Sequence, residues 1–223
     1  MFLRTLGLPP YLQIYNEPSL GQEWQDDGRQ VDQAVYFEHL FPAIQQVYEA
    51  GGFVGLQELQ PEWVRLILRK LKEQGQQRVF NRLFFIPHAY GYNRPPETTD
   101  TIDSVLGFRA FANVFQEEIG FVPIMIAGEG GWRPGEQQDK RFPMVTPTLQ
   151  RDYLLSVFEW FRTGTLSDGT PLPDYFFAFC PWILADPNDA AAWYDSAPGE
   201  RTLITYAVSE LPAFTRRFSW VSK

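Results

Sequence analysis

Two carboxylic acid residues of this sequence each follow a short apolar segment. Glu17 follows residues 11–15 and lies in the corner Asn16-Glu17-Pro18, and Glu129 follows residues 122–127. Burial disfavours the ionised form of a carboxyl group, so a carboxylate at the end of an apolar strand is costly. Two parallel strands that each end in a carboxylate would bring both groups to one edge of a sheet. We therefore predict that Glu17 and Glu129 form an acid/base pair.

The composition is that of a globular protein with an excess of aromatic residues. The chain has 223 residues, of which 44% are hydrophobic, 21% charged and 16% aromatic. These fractions exclude intrinsic disorder, and the aromatic excess suits a cleft that binds sugar rings. The net charge of −8 repels phosphate backbones, so we expect no nucleic-acid partner.

Few residues are suited to bind a metal, and no segment is suited to a membrane. Cys180 is the single cysteine, which excludes an internal disulfide and a cysteine-based metal cluster, and we expect it in the core. His39 and His88 are too few for a histidine-rich metal site, so we predict no metal and no cofactor. No apolar run approaches the 20 or so residues of a membrane span, and we expect no membrane partner. A glycine and two prolines within the first ten residues interrupt any signal-peptide pattern, which leaves the localisation open between cytoplasmic and secreted.

The hydrophobic pattern alternates between strands and helices. Residues 1–10 end in Leu-Pro-Pro and are predicted to be non-helical, and Pro42 is predicted to kink or split the first long helix. The predicted strands lie at about 11–16, 53–59, 83–86, 122–129 and 175–182. The predicted helices lie at about 31–50, 61–75, 101–119, 148–163 and 202–218.

Continuous apolar strands between amphipathic helices indicate a parallel sheet that is covered by helices. Five βα units fit either an open doubly wound sheet or part of a (β/α)8 TIM barrel. Asn-Glu-Pro-Ser does not resemble the glycine-rich turn of a dinucleotide fold, whereas polar and aromatic residues at four strand ends favour a barrel rim. We predict an α/β fold in which residues 1–223 form a single, partial TIM-barrel domain of about five units.

The residues at the predicted strand ends resemble the clan A glycoside hydrolases, and most closely the family 5, cellulase-like enzymes. Asn16-Glu17-Pro18 matches the Asn-Glu-Pro of the family's fourth strand, and His88-Ala89-Tyr90 matches the His-x-Tyr after its sixth. Gly128-Glu129 matches the Gly-Glu of the seventh strand, and Trp182 matches the Trp of the eighth. All four motifs occur in the family's order.

The resemblance implies a retaining hydrolase of β-linked glycosidic bonds that acts on oligo- or polysaccharides. Glu17 would be the general acid/base and Glu129 the nucleophile, with their carboxyl groups about 5 Å apart. The other matched residues would contact the sugar or orient a carboxylate: Asn16 at the 2-hydroxyl, His88 in the same subsite, Tyr90 beside Glu129, and Trp182 under the ring.

Several alternatives stay open at this point. Trp132, on a loop after the Glu129 strand, is either a sugar-stacking residue or a packing residue, and Trp182 is either a platform or core. Gln57 or Glu58, at the end of the second strand, either faces the barrel mouth or is structural, and we interpret it as structural first. The chain could also be a carbohydrate-binding partial barrel without activity, or an unrelated α/β module.

The family's first three strands have no counterpart in this sequence, and 223 residues fall short of the roughly 250 that are typical of the barrel. Either the chain is a piece of a longer protein, or another chain associates with it to complete the barrel, or the fold closes differently. Of these three alternatives we expect a fragment. An open sheet would leave the edges at residues 11–15 and 176–179 exposed.

Overall fold

The computed structural model of the protein describes residues 2–24, 31–194 and 203–220. In chain order the elements are α1 (Phe2–Thr5), β1 (Tyr11–Ile14), α2 (Gln33–Glu49), β2 (Phe53–Leu56), α3 (Pro61–Glu73), β3 (Leu83–Phe85), β4 (His88–Tyr90), α4 (Phe108–Ile119), β5 (Met125–Ala127), β6 (Glu129–Gly131), α5 (Pro147–Thr163), β7 (Phe176–Phe179) and α6 (Leu203–Ser209). The chain forms two compact units. The first unit comprises Met1–His88 and Arg109–Ile126, and the second comprises Ala89–Phe108 and Ala127–Lys223.

A parallel sheet forms the centre of the first unit. Its strands pair in the order β1, β2, β3, β5, with Ile14 beside Leu56, Leu56 beside Phe85, and Phe85 beside Met125. These side chains are buried, as expected for a sheet covered on both faces. Because the strands are parallel, all four end at the same edge of the sheet.

Local sequence signals explain where the helices of the first unit begin. The Asp32 side chain accepts hydrogen bonds from the amides of Ala34 and Val35, which caps α2. Pro61 occupies the first turn of α3, where its missing N–H costs nothing.

Glu118 of α4 binds Arg65, Arg69 and Lys72 of α3, which ties these two helices together. Arg69 contributes most to lowering the pKa of Glu118 to about 2.

The second unit contains residues 89–90 of β4, strand β6 that pairs with β4, helix α5 and strand β7. The Thr146 side chain caps α5 by accepting from the amide of Leu149, and Gly164 ends the helix with φ +71°. Beside β5, the amide of Cys180 donates to the carbonyl of Ala127 at 2.8 Å.

Four local predictions were wrong. Residues 2–5 form a short helix, because Pro9 and Pro10 restrict only the residues next to them. Helix α4 begins at Phe108 rather than near residue 101, after a 3₁₀ turn at Val105–Gly107. Helix α6 ends at Ser209, since Pro212 disfavours helical geometry at the residue before it. Cys180 is exposed rather than in the core.

Pro42 lies inside α2 without splitting it, so the helix is continuous from Gln33 to Glu49. The α/β class and the parallel sheet agree with the prediction, whereas the single domain and the partial barrel of five units stay predictions. Among the residues that the structure describes, no helix is long and apolar enough to cross a membrane.

Arg216 binds the backbone at the start of strand β7. Its guanidinium group donates to the carbonyl oxygens of Phe176 at 2.5 Å, Phe177 at 2.7 Å and Pro173 at 3.0 Å. The same group lies over the rings of Phe161 and Phe218. A charged donor is therefore bonded to the backbone at the start of β7 and in the segment before it.

Replacing Arg216 by alanine should lower the free energy of unfolding by about 2 kcal/mol, because hydrogen bonds to charged groups contribute roughly 1.5–3 kcal/mol. Urea unfolding followed by circular dichroism measures the change. Arg217→Ala, at the exposed neighbouring position, is the matched control and should change stability by less than about 0.5 kcal/mol. Equal effects of the two substitutions would show that the hydrogen bonds of Arg216 do not stabilise the fold.

Candidate active site

Glu17 lies in a strained turn directly after β1. Tyr15 has φ +61° and Glu17 has φ +41°, values that non-glycine residues adopt only where neighbours hold them. The amide of Glu17 donates to the side-chain oxygen of Gln57 at 2.5 Å. The side-chain amide of Gln13 donates to the carbonyl of Tyr15 at 3.1 Å. Side chains from β1 and from the end of β2 therefore fix this turn.

The Glu17 carboxyl group is bonded to His88, at the start of β4. Glu17 Oε1 lies 2.7 Å from His88 Nδ1. The His88 side chain is 2% exposed and the Glu17 side chain 19%, so the carboxyl group keeps contact with solvent. Whether Nδ1 donates or accepts depends on the histidine tautomer. The contact therefore fixes one oxygen of the Glu17 carboxyl group against the His88 ring.

Asn16 precedes Glu17 and is half-buried. Its side-chain oxygen accepts from Gln13 Nε2 at 3.2 Å. An amide whose oxygen is engaged in this way presents its NH₂ group as a donor. The contact thus orients Asn16 as a hydrogen-bond donor.

Glu58 is a buried carboxylic acid at the end of β2, beside Gln57. It faces the phenol of Tyr36 and the hydroxyl of Ser19. Burial, the largest influence, raises the pKa of Glu58 to about 7, while Tyr36, Ser19 and the Leu59 amide act in the opposite direction. Neither carboxyl oxygen has a partner in ordinary hydrogen-bond geometry among the described residues. An acid in this position is favoured in its neutral form.

In the second unit, Glu129 begins β6 and is held by Tyr90 of β4. The Tyr90 hydroxyl donates to Glu129 Oε2 at 2.8 Å. The next residue, Gly130, packs so closely that a Cβ atom there would lie 2.6 Å from the carbonyl oxygen of Ala89. Only glycine fits this position without displacing β4, so the Gly after Glu129 keeps the two strands in register.

Trp182 follows β7 and is held by Asp189. Its indole N–H donates to Asp189 Oδ2 at 2.9 Å, and Arg133 binds the same oxygen at 2.9 Å. The amide of Ala191 donates to the other oxygen at 2.8 Å. Burial acts to raise the pKa of Asp189, but these three donors outweigh it and the pKa is lowered. Asp189 therefore stays ionised and fixes the orientation of the half-buried Trp182 ring.

Trp132 is 2% exposed and packs inside the second unit. Its indole N–H donates to the carbonyl of Arg94 at 2.8 Å, and its ring lies 5.2 Å from that of Tyr153. Gly91 lies directly against the ring. Of the two alternatives for this residue, this geometry favours packing over sugar stacking.

The structure distributes the predicted site residues between the two units. Asn16, Glu17 and His88 belong to the first, and Tyr90, Glu129, Trp132 and Trp182 belong to the second. The pairing of Glu17 with Glu129 stays a prediction.

Three side chains that orient these groups were not included among the predicted site residues. Gln13 and Gln57 are polar residues within or directly after apolar strands, a pattern that could have marked them. Asp189 lies in a polar loop with no pattern that distinguishes it.

No protein-family model matches this sequence, and comparison with curated proteins finds no match. The chain is similar in structure to a GH128 (subgroup II) endo-beta-1,3-glucanase from Sorangium cellulosum. The two are 12% identical, the match covers 95% of this chain and 84% of that chain, and the TM-score is 0.49. Similarity at this level does not establish the fold or the activity of this chain.

The raised pKa of Glu58 predicts that stability falls as pH rises from about 4.5 to about 7. In this range the folded state binds more protons than the unfolded state, so the free energy of unfolding decreases with pH. Between pH 5 and pH 8 the wild type should lose about 2–3 kcal/mol more than Glu58→Gln, which cannot ionise.

Urea unfolding at both pH values measures this difference. Glu62→Gln, at an exposed position in α3, should behave like the wild type. A Glu58→Gln variant with the same pH dependence as the wild type would show that Glu58 ionises normally.

Proposed function

We propose that this chain carries the catalytic carboxyl groups of a retaining, cellulase-like glycoside hydrolase that cleaves β-linked glycans. Glu17 is the general acid/base and Glu129 the nucleophile in this proposal, and the sheet belongs to a partial (β/α)8 barrel. The observation that carries the proposal is that two half-buried carboxylates each bind a side chain of β4. His88 binds Glu17 at 2.7 Å, and Tyr90 binds Glu129 at 2.8 Å.

The arrangement of the strands supports this pairing. His88 and Tyr90 are alternate residues of one strand, and alternate side chains of a strand point to the same face. Glu17 follows β1 by three residues and Glu129 follows β5 by two, and both strands belong to the same parallel sheet. Barrel enzymes build their active sites at this edge, where parallel strands end.

The proposed reaction has two steps. In the first, Glu129 attacks the anomeric carbon while protonated Glu17 gives its proton to the departing glycosidic oxygen. In the second, Glu17 takes a proton from a water molecule that attacks the same carbon and releases Glu129. Tyr90 orients the Glu129 carboxylate by donating to it. His88 donates through Nδ1–H to Glu17 Oε1, which leaves the proton on the other carboxyl oxygen of Glu17 for the glycosidic oxygen.

The remaining residues would bind the sugar. Asn16, oriented as a donor by Gln13, would contact the 2-hydroxyl group, an interaction that strengthens in the transition state of such enzymes. Trp182, fixed by Asp189, would stack against the apolar face of the ring.

Substitution of the two carboxylates tests the roles separately. With an aryl β-glycoside, Glu17→Ala should lower the rate by about 10²–10⁴-fold, the usual contribution of acid/base catalysis. Glu129→Ala should lose more, because no covalent intermediate can form. Added azide should restore turnover in both variants, giving the β-glycosyl azide with Glu17→Ala and the α-glycosyl azide with Glu129→Ala. Glu23→Ala, at an exposed position near Glu17, should leave activity unchanged.

Retained activity in either alanine variant would contradict the assigned role. Oligosaccharide binding without any product from the wild type would instead support the alternative, a carbohydrate-binding protein that lacks turnover.

Tyr90→Phe should lower kcat by roughly 10–100-fold, because a hydrogen bond to a charged group is removed while the ring is kept. Steady-state kinetics on the same substrate measures the loss. Tyr92→Phe, two residues further along the chain, is the control and should retain wild-type kcat. An unchanged kcat in Tyr90→Phe would show that Tyr90 does not support Glu129.

A further inference from the structure

A residue that follows the neighbouring strand β2 restrains the turn that carries Glu17. Ile14, at the end of β1, lies beside Leu56, at the end of β2, so the residues after each strand continue side by side. Gln57 follows Leu56 directly, is 1% exposed, and accepts the Glu17 amide through its side-chain oxygen. This hydrogen bond joins the backbone of Glu17 to the sheet.

The conformation of Glu17 requires such a restraint. A left-handed φ at a non-glycine residue costs on the order of 1–3 kcal/mol and persists only when the surroundings impose it. The backbone conformation of Glu17 also sets the direction of its side chain, which meets His88 Nδ1. Loss of the Gln57 contact would allow the turn to relax and the carboxyl group to move away from this position.

We propose that Gln57 is a positioning residue for the acid/base Glu17, whose amide it holds. The inference rests on the proposed function, since it assigns Glu17 the role of proton donor. Gln57 acts by keeping the Glu17 carboxyl group where the glycosidic oxygen will be.

Substrates that differ in their leaving group separate positioning of the acid from a general structural role. A 2,4-dinitrophenyl β-glycoside departs without protonation, whereas an alkyl β-glycoside or a glucan needs the proton from Glu17. Gln57→Leu should therefore lower kcat/KM for the alkyl glycoside by about 10–100-fold, the cost of a displaced catalytic group. For the dinitrophenyl glycoside, kcat/KM should stay within about twofold of wild type, because that ratio reports the first step alone.

A conservative variant serves as the rescue. Gln57→Glu keeps a side-chain acceptor and should recover most of the loss. Gln60→Leu, at an exposed position three residues away, should have no effect. Thermal unfolding of each variant establishes that the assays are made on folded protein.

The outcomes distinguish a failure of the proposed function from a failure of the positioning role. A wild-type protein without glycosidase activity, or with activity that survives in Glu17→Ala, would overturn the proposed function. If the wild type requires Glu17 but Gln57→Leu lowers kcat/KM equally for both substrates, or for neither, the positioning role is overturned while the proposed function stands.

Discussion

The hydrogen bonds between β1 and β2 determine where the turn with Glu17 begins. Because Ile14 pairs with Leu56, the residues that follow β1 meet Gln57 and Glu58, which follow β2. A shift of the register by one residue would exchange the faces of the side chains and move Gln57 away from the Glu17 amide. The strained conformation at Tyr15 and Glu17 therefore depends on the ladder of the sheet as much as on the turn itself.

Three carboxyl groups in this account have a partner that controls their orientation. Glu17 is bonded to His88, Glu129 to Tyr90, and Asp189 to Trp182 and Arg133. Glu58 differs, since its polar neighbours do not reach ordinary hydrogen-bond geometry and burial dominates its protonation. A protein that uses one carboxylic acid as a proton donor and another as a nucleophile needs such differences in environment.

The sequence predicted the elements that depend on local pattern. The strands with buried runs, such as residues 53–56 and 83–85, and the amphipathic helices α3 and α5 lie close to their predicted positions. The start of α4 and the end of α6 were predicted less well, because the apolar spacing predicted longer helices. A 3₁₀ turn precedes α4, and a proline follows α6. The burial of Trp132 and the exposure of Cys180 depend on packing between distant segments, which spacing alone does not encode.

Within the candidate site, the sequence indicated the motif residues but not the residues that hold them. The predicted site residues lie at or after the ends of predicted strands, in the order of the family 5 motifs. They are Asn16, Glu17, His88, Tyr90, Glu129 and Trp182. Gln13 stands out only as a polar residue within an apolar strand. Asp189 contributes through hydrogen bonds whose partners are fixed by loop geometry, so no spacing rule singles it out. The role of Gln57 follows from the direction of its side chain, whose oxygen accepts the Glu17 amide.

The distance between the carboxyl groups of Glu17 and Glu129 tests the central claim most directly. A crystal structure of the protein, with and without a 2-fluoro glycosyl group trapped on Glu129, measures it. The account predicts a separation of about 5–5.5 Å and a covalent bond from the sugar to Glu129. A separation of about 6.5–9.5 Å would indicate inverting chemistry. A larger separation, or a sugar trapped on another residue, would contradict the pairing.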